Sequence, residues 1–174
     1  MATMILLPNA DGLSSSDWIA VGETGNYNCL DDDNDGTSYV KCNDNNETIV
    51  IEYANPSVAE GDIASIDSVR FLSSGKSAHR SQAAIVDISF EAPTAGFSES
   101  CSYDAHRTNY ETINGTARTT HDGTHSWVYS NLEDLEMLCT KNGTIEVYLS
   151  YLALEVTYTP AGVSDNATFF GANF

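Results

Sequence analysis

The residues best spaced for chemistry are Asp31, Asp33 and Asp35, which alternate in Asp31-Asp32-Asp33-Asn34-Asp35-Gly36. Alternate carboxylates that converge on a hard cation, with a glycine to permit the tight turn, make up the first half of a calcium loop. The twelfth position, where an EF-hand places a bidentate glutamate, holds Cys42. The pattern therefore allows a looser Ca²⁺ site in a β-loop, or an acidic turn that faces water; calcium is the one cofactor it admits. His121 and His125, in His121-Asp122-Gly123-Thr124-His125, have a spacing that binds metal on a helix. Asp122-Gly123 makes this segment a turn instead, where two rings need not converge.

Nucleophilic chemistry finds no support. There is no G-x-S-x-G elbow, and no Ser or Cys has a recognisable partner at a known spacing. Carboxylates are so plentiful that the pair Glu133 and Glu136 reads as the solvated face of a helix. The chain is expected not to be an enzyme. The four cysteines, Cys29, Cys42, Cys101 and Cys139, contain no C-x-x-C pair, so zinc and redox motifs are unsupported. Cys29 and Cys42 flank the acidic turn and are a disulfide candidate across a hairpin, with reduced, half-buried thiols as the alternative. Trp18, Trp127 and nine tyrosines could build a sugar-stacking platform, although both tryptophans fall at strand or helix starts, where burial is usual. The sequons at Asn46, Asn114, Asn142 and Asn166 matter only in a glycosylating host.

Composition narrows the partners. With 25 Asp plus Glu against 7 Lys plus Arg, the formal net charge is −18. Nucleic acid is excluded because phosphate binding needs clustered cations, and anionic membranes repel such a domain. The acidity fits solubility in a salty medium, where screening removes most self-repulsion, or cation binding at particular places. Met1 to Asn9 carries no Lys or Arg and its apolar run stops at Pro8, so no signal peptide is expected; no window approaches a membrane span of about 18 apolar residues.

A length of 174 residues suits one domain. Period-two alternation dominates it. Ala84, Val86, Ile88 and Phe90 share one face; so do Ile49, Ile51 and Tyr53, and so do Val69 and Phe71 with Ser68 and Arg70 facing out. The run Thr144 to Thr159 buries Ile145, Val147 and Leu149, then switches parity to Leu152, Leu154, Val156 and Tyr158. A bulge or a crossing between layers near Ser150 and Tyr151 would produce that switch. Further strands are expected at Met4 to Leu7, Asp17 to Ala20, Tyr27 to Leu30, Ser38 to Lys41, Phe97 to Tyr103 and Thr112 to Thr119, joined by Asp-Gly and Asn-Gly turns. Asn131 to Leu138 reads as a short helix, with Leu132, Leu135 and Leu138 on one face. The fold expected is an all-β, antiparallel, jelly-roll-like β-sandwich with one short helix, spanning residues 1–160. Residues 161–174 form a C-terminal extension whose Phe169, Phe170 and Phe174 are expected to pack on a neighbouring subunit.

A family pattern is also present. Leu6-Leu7-Pro8-Asn9 with Gly12, Asp17-Trp18, and the acidic stretch Leu30 to Gly36 followed by Thr37-Ser38-Tyr39-Val40 resemble small virion surface proteins of tailed phages and related archaeal viruses. Ile63 to Val69, the Trp-led segment Ser126 to Glu136, and the closing strand Leu152 to Tyr158 are similar to the same family. The four cysteines and the aromatic tail depart from it. The resemblance implies a non-enzymatic virion structural protein: a capsid decoration or head-surface component, on the virion surface and made in the host cytoplasm. Its partners would be the major capsid protein or other virion proteins and copies of itself, as a homo-oligomer. The alternative is a tail or fibre tip module that binds a host receptor or glycan.

Overall fold

The computed structural model describes residues 1–12, 17–31, 37–92, 98–104, 109–133 and 135–162. Among the described residues, eleven strands fall into two antiparallel sheets that face each other as a β-sandwich, as the alternation requires. One sheet runs β3 (Ile19–Val21), β4 (Tyr39–Cys42), β11 (Val147–Pro160), β6 (Ile63–Ser77), β9 (Glu111–Asn114), with β1 (Ala2–Leu6) also paired to β11. The other runs β2 (Pro8–Asp11), β5 (Thr48–Tyr53), β10 (Glu136–Asn142), β7 (Ala84–Ala92), β8 (Ser98–Tyr103).

The inward residues are the ones whose parity marks them. Ile49 and Ile51 of β5, Val86 and Ile88 of β7, and Val147, Leu152 and Leu154 of β11 are all at most 1% exposed. Each such aliphatic side chain contributes about 1.5–3 kcal/mol by leaving water.

The parity switch in β11 is a β-bulge. Leu149 pairs with Gly75 and Tyr151 with Ser74, so Ser150 is the extra residue. Before the bulge β11 pairs with β4, and after it with β1 on the same edge; the Leu152 amide between them donates to the Leu30 carbonyl at 2.9 Å. The bulge therefore lets one long strand serve two short neighbours.

Two expected elements differ. The helix is only α1 (Tyr129–Glu133), and Glu136 already belongs to β10. Leu132, Leu135 and Leu138 do recur at helical spacing, but Met137, Cys139 and Lys141 alternate with period two. Pairing on both sides, with β5 and β7, selects the strand. Glu133 and Glu136 consequently lie on different elements. Tyr27–Cys29 is a 3-10 turn rather than a strand. Its start is held by Asp11, whose two carboxylate oxygens accept the amides of Asn26 and Tyr27 at 3.0 and 2.9 Å.

Lys141 is the one buried cation of the inward faces among the described residues, fully covered and donating from Nζ to the Gly143 carbonyl at 2.5 Å.

Candidate functional site

The outer face of the first sheet carries a lateral row of aromatic and charged residues. Register places Lys41 of β4 opposite Tyr148 of β11, and Tyr148 opposite Lys76 of β6. Their chain neighbours Val40, Cys42, Val147, Leu149, Gly75 and Ser77 are buried, so strand alternation turns Lys41, Tyr148 and Lys76 outward.

Tyr39, two residues before Lys41 and on the same face, meets the Tyr148 ring edge-on, with centroids 5.2 Å apart and planes at 77°. Lys76 Nζ lies 4.5 Å from the centroid of Tyr110 and 5.5 Å from that of Tyr148, placing a cation between two rings. Gly75 anchors this arrangement from below. A Cβ there would stand 2.7 Å from Leu149 and 2.8 Å from the Tyr103 ring, so only glycine lets β6 lie this close to the core.

Glu146 contacts two members of the row. It accepts from the Tyr148 hydroxyl at 2.9 Å, and Lys41 Nζ lies 3.9 Å from its other carboxylate oxygen. Burial, and then Glu146, pushes the Tyr148 phenol up to about 12, so it remains a hydrogen-bond donor at neutral pH. The residues are half-buried. From β4 to β9 the row crosses three strand intervals, about 14 Å. It offers ring surface for apolar C–H faces, ammonium donors and a carboxylate acceptor on rigid backbone.

Both tryptophans, by contrast, are structural. Trp18 and Trp127 are 5% and 4% exposed, with ring nitrogens donating to the Glu47 and Arg118 carbonyls at 3.2 and 2.9 Å. Trp127 also backs a cleft of about 230 Å³ between the start of β6 and α1, where Ser65, Val128 and Tyr129 line the opening.

Of the residues singled out by sequence, Asp31 is half-buried just after the 3-10 turn, whereas Asp33 and Asp35 lie outside the described residues, as do Phe169, Phe170 and Phe174. The Cys29–Cys42 pairing is corrected: all four cysteines are free, buried thiols. Cys29 belongs to the 3-10 turn rather than to a strand facing β4. Its Sγ points to the Val21 carbonyl at 3.6 Å, while Cys42 Sγ points to that of Asp44 at 3.5 Å.

The turn His121–His125 departs from expectation in the opposite sense, because its rings do come together. They stack with centroids 5.9 Å apart, and Nδ1 of His125 lies 2.6 Å from Oδ2 of Asp122. Asp122 Oδ1 accepts the amides of Thr124 and His125 at 2.8 and 2.7 Å, and the His121 amide donates to the His125 carbonyl at 2.9 Å. Hydrogen bonds from the amide and ring of His125 and from the Thr124 amide hold the Asp122 carboxyl well below the usual carboxylate range.

No family model matches the chain, and no curated protein matches it. Among solved structures it is similar to the CBM36-1 domain of a multidomain xylanase from the hindgut metagenome of Trinervitermes trinervoides, with 12% identity over 93% of this chain and 100% of that one and a TM-score of 0.48. It is also similar to a CBM4 structure (15% identity, 81% and 95% covered, TM-score 0.38). A third is a family 29 carbohydrate-binding module from Piromyces equi (12% identity, 89% and 91% covered, TM-score 0.39). The expectation of a capsid decoration or head-surface component is corrected on this finding: these three similar structures are carbohydrate-binding modules, and none is a virion protein.

Proposed function

We propose that this domain is a non-catalytic binding module that takes a neutral carbohydrate chain along the outer face of β4, β11, β6 and β9. The observation that carries the reading is the row Tyr39, Tyr148, Lys76 and Tyr110, with ring contacts at 5.2, 5.5 and 4.5 Å, the first three on paired strands and Tyr110 immediately before β9. Tyrosine rings present flat apolar surface at little entropic cost, and a sugar offers matching C–H faces rimmed by hydroxyls. Lys41, Lys76 and Glu146 supply donors and an acceptor for those hydroxyls. A net charge of −18 repels polyanions over the molecule as a whole, and the Lys41 charge is offset by Glu146, which favours neutral over acidic chains.

The test is titration calorimetry with panels of neutral oligosaccharides and of uronic-acid oligosaccharides, on the native protein and on Tyr148→Ala. Saturable binding of a neutral chain that weakens at least tenfold in the variant is the expected result. Binding confined to uronic-acid chains, no binding at millimolar sugar, or binding lost in Tyr129→Ala while Tyr148→Ala is unaffected would each overturn it; the last result would move the site to the cleft at α1.

A further inference from the structure

The donor atoms of His121, Asp122 and His125 all lie within 4.8 Å of one another, on a turn that the backbone itself holds closed. We propose that this turn binds a borderline divalent transition metal of the zinc and copper class, with both imidazoles and the Asp122 carboxylate as ligands.

The local structure prepares each donor. Gly123 takes φ +84°, which lets the chain reverse between the two histidines. Thr124 and His125 amides occupy Asp122 Oδ1, so Oδ2 is the oxygen left to face His125 Nδ1. The Trp127 ring packs against the His121 imidazole, with centroids 6.0 Å apart and planes at 61°.

A metal ion fits between Oδ2 and Nδ1 by replacing the proton they share, which leaves to solvent. Bonds of about 2.0–2.2 Å to a tetrahedral ion require the two atoms to separate to roughly 3.3 Å from 2.6 Å. Rotation of the His125 side chain, 73% exposed, supplies that movement. Two imidazole nitrogens and one carboxylate oxygen select Zn²⁺, Ni²⁺ or Cu²⁺ over Ca²⁺ and Mg²⁺, which prefer all-oxygen shells. Three protein ligands leave the solvent side open for water or an exogenous ligand.

The site lies in the turn that precedes α1, and it does not depend on the carbohydrate reading. Its test uses the full chain without a histidine tag. Zn²⁺ is titrated calorimetrically in excess Mg²⁺, which occupies general acidic surface. Cu²⁺ is titrated in parallel while tryptophan emission is followed, because a paramagnetic ion at His121 quenches Trp127. One Zn²⁺ per chain at micromolar concentration is expected, with affinity falling at least tenfold in both His121→Ala and His125→Ala. Saturable Cu²⁺ quenching should be present in the native protein and absent in His125→Ala. Since His125 is exposed, metal-free His125→Ala should melt with the native protein, so its loss of binding reports the ligand. Absence of saturable Zn²⁺ binding below millimolar, complete competition by Mg²⁺, or unchanged affinity in either histidine variant would overturn the proposal.

Discussion

The hydroxyl of Tyr103 on β8 donates to Ser73 Oγ on β6 at 2.9 Å, and Ser73 donates onward to the Ile113 carbonyl of β9 at 3.3 Å. A chain of buried hydroxyls thus joins the two sheets through the core. Tyr103→Phe keeps the ring and removes the donor, leaving Ser73 Oγ short of one partner. The expected cost is about 1–2 kcal/mol, read as a lower urea midpoint at unchanged m-value. Ser73→Ala loses that bond and its own to Ile113, so it should cost at least as much, and the double variant less than the sum, since the Tyr103–Ser73 bond is lost in both single variants. Additive losses would mean that the two hydroxyls act separately.

A second link between sheets lies nearer the surface. Arg118, whose amide and carbonyl pair with Val69 of β6, reaches Glu99 of β8 with Nη2 at 2.5 Å from Oε1, and the Thr116 amide donates to Oε2 at 2.9 Å. Burial pushes the Glu99 carboxyl up, but Thr116 and Arg118 together push it down further, so its folded pKa lies below the ordinary 4.5. A depressed carboxylate contributes stability that is present above its unfolded pKa and lost as pH falls through the folded one. Glu99→Gln is therefore expected to cost about 1 kcal/mol at pH 7, part of the pair's attraction being screened. The gap between variant and native melting temperatures should close below about pH 4. A gap constant with pH would assign the loss to packing.

How far these features could be read from the chain depends on whether they are local. The faces of β5 and β7 follow from alternation alone, and so does a parity switch near Ser150; that the switch is a bulge and not a crossing between layers is decided by the pairing of β11 with β6. β10 was hidden because Leu132, Leu135 and Leu138 mimic a helix face; only pairing with β5 and β7, distant in sequence, decides against it. Tyr27–Cys29 turned on a carboxylate sixteen residues away, at Asp11. The tyrosine row needs the register of four strands at once, so Tyr39, Lys76, Tyr110 and Tyr148 carry no sign of one another in sequence. At His121 and His125 the spacing was visible, but not that Asp122 would cap its own turn and draw the rings together.

Alkaline pH should unfold this domain through groups that are buried in their neutral form. Burial pushes the Cys101 thiol from 9.0 up to about 12, and raises Cys139, Tyr53 and Tyr103 as well. The folded state keeps these protons where the unfolded chain gives them up, so their contribution is complete below the unfolded pKa values and is lost as pH rises. Lys141 acts in the opposite sense, because burial lowers its pKa and folding there becomes easier as pH rises. The raised acids outnumber it. Melting temperature in reductant should fall progressively from about pH 9 to 12, and Cys101→Ala should flatten that slope while the slope below pH 8 is unchanged. An identical alkaline slope in the variant would remove Cys101 as a contributor.

The carbohydrate row makes a graded prediction, because its members contribute by different physics. Tyr148 sits at the centre, in contact with Tyr39 on one side and Lys76 on the other, so its truncation removes stacking surface and misplaces both neighbours. Tyr148→Ala should cost about 2 kcal/mol or more of binding free energy, in the range of a central aromatic anchor. Tyr39→Ala, at the end of the row, should cost about 1 kcal/mol. Lys76→Met keeps an apolar stem between the rings and removes only a donor and a cation, so a neutral ligand should lose less than about 1 kcal/mol. Because all three side chains face outward, their melting temperatures should change little, and the affinity order Lys76→Met, then Tyr39→Ala, then Tyr148→Ala should appear without parallel loss of fold. If Lys76→Met instead abolished binding while Tyr148→Ala was tolerated, recognition would be electrostatic and the ligand an anion.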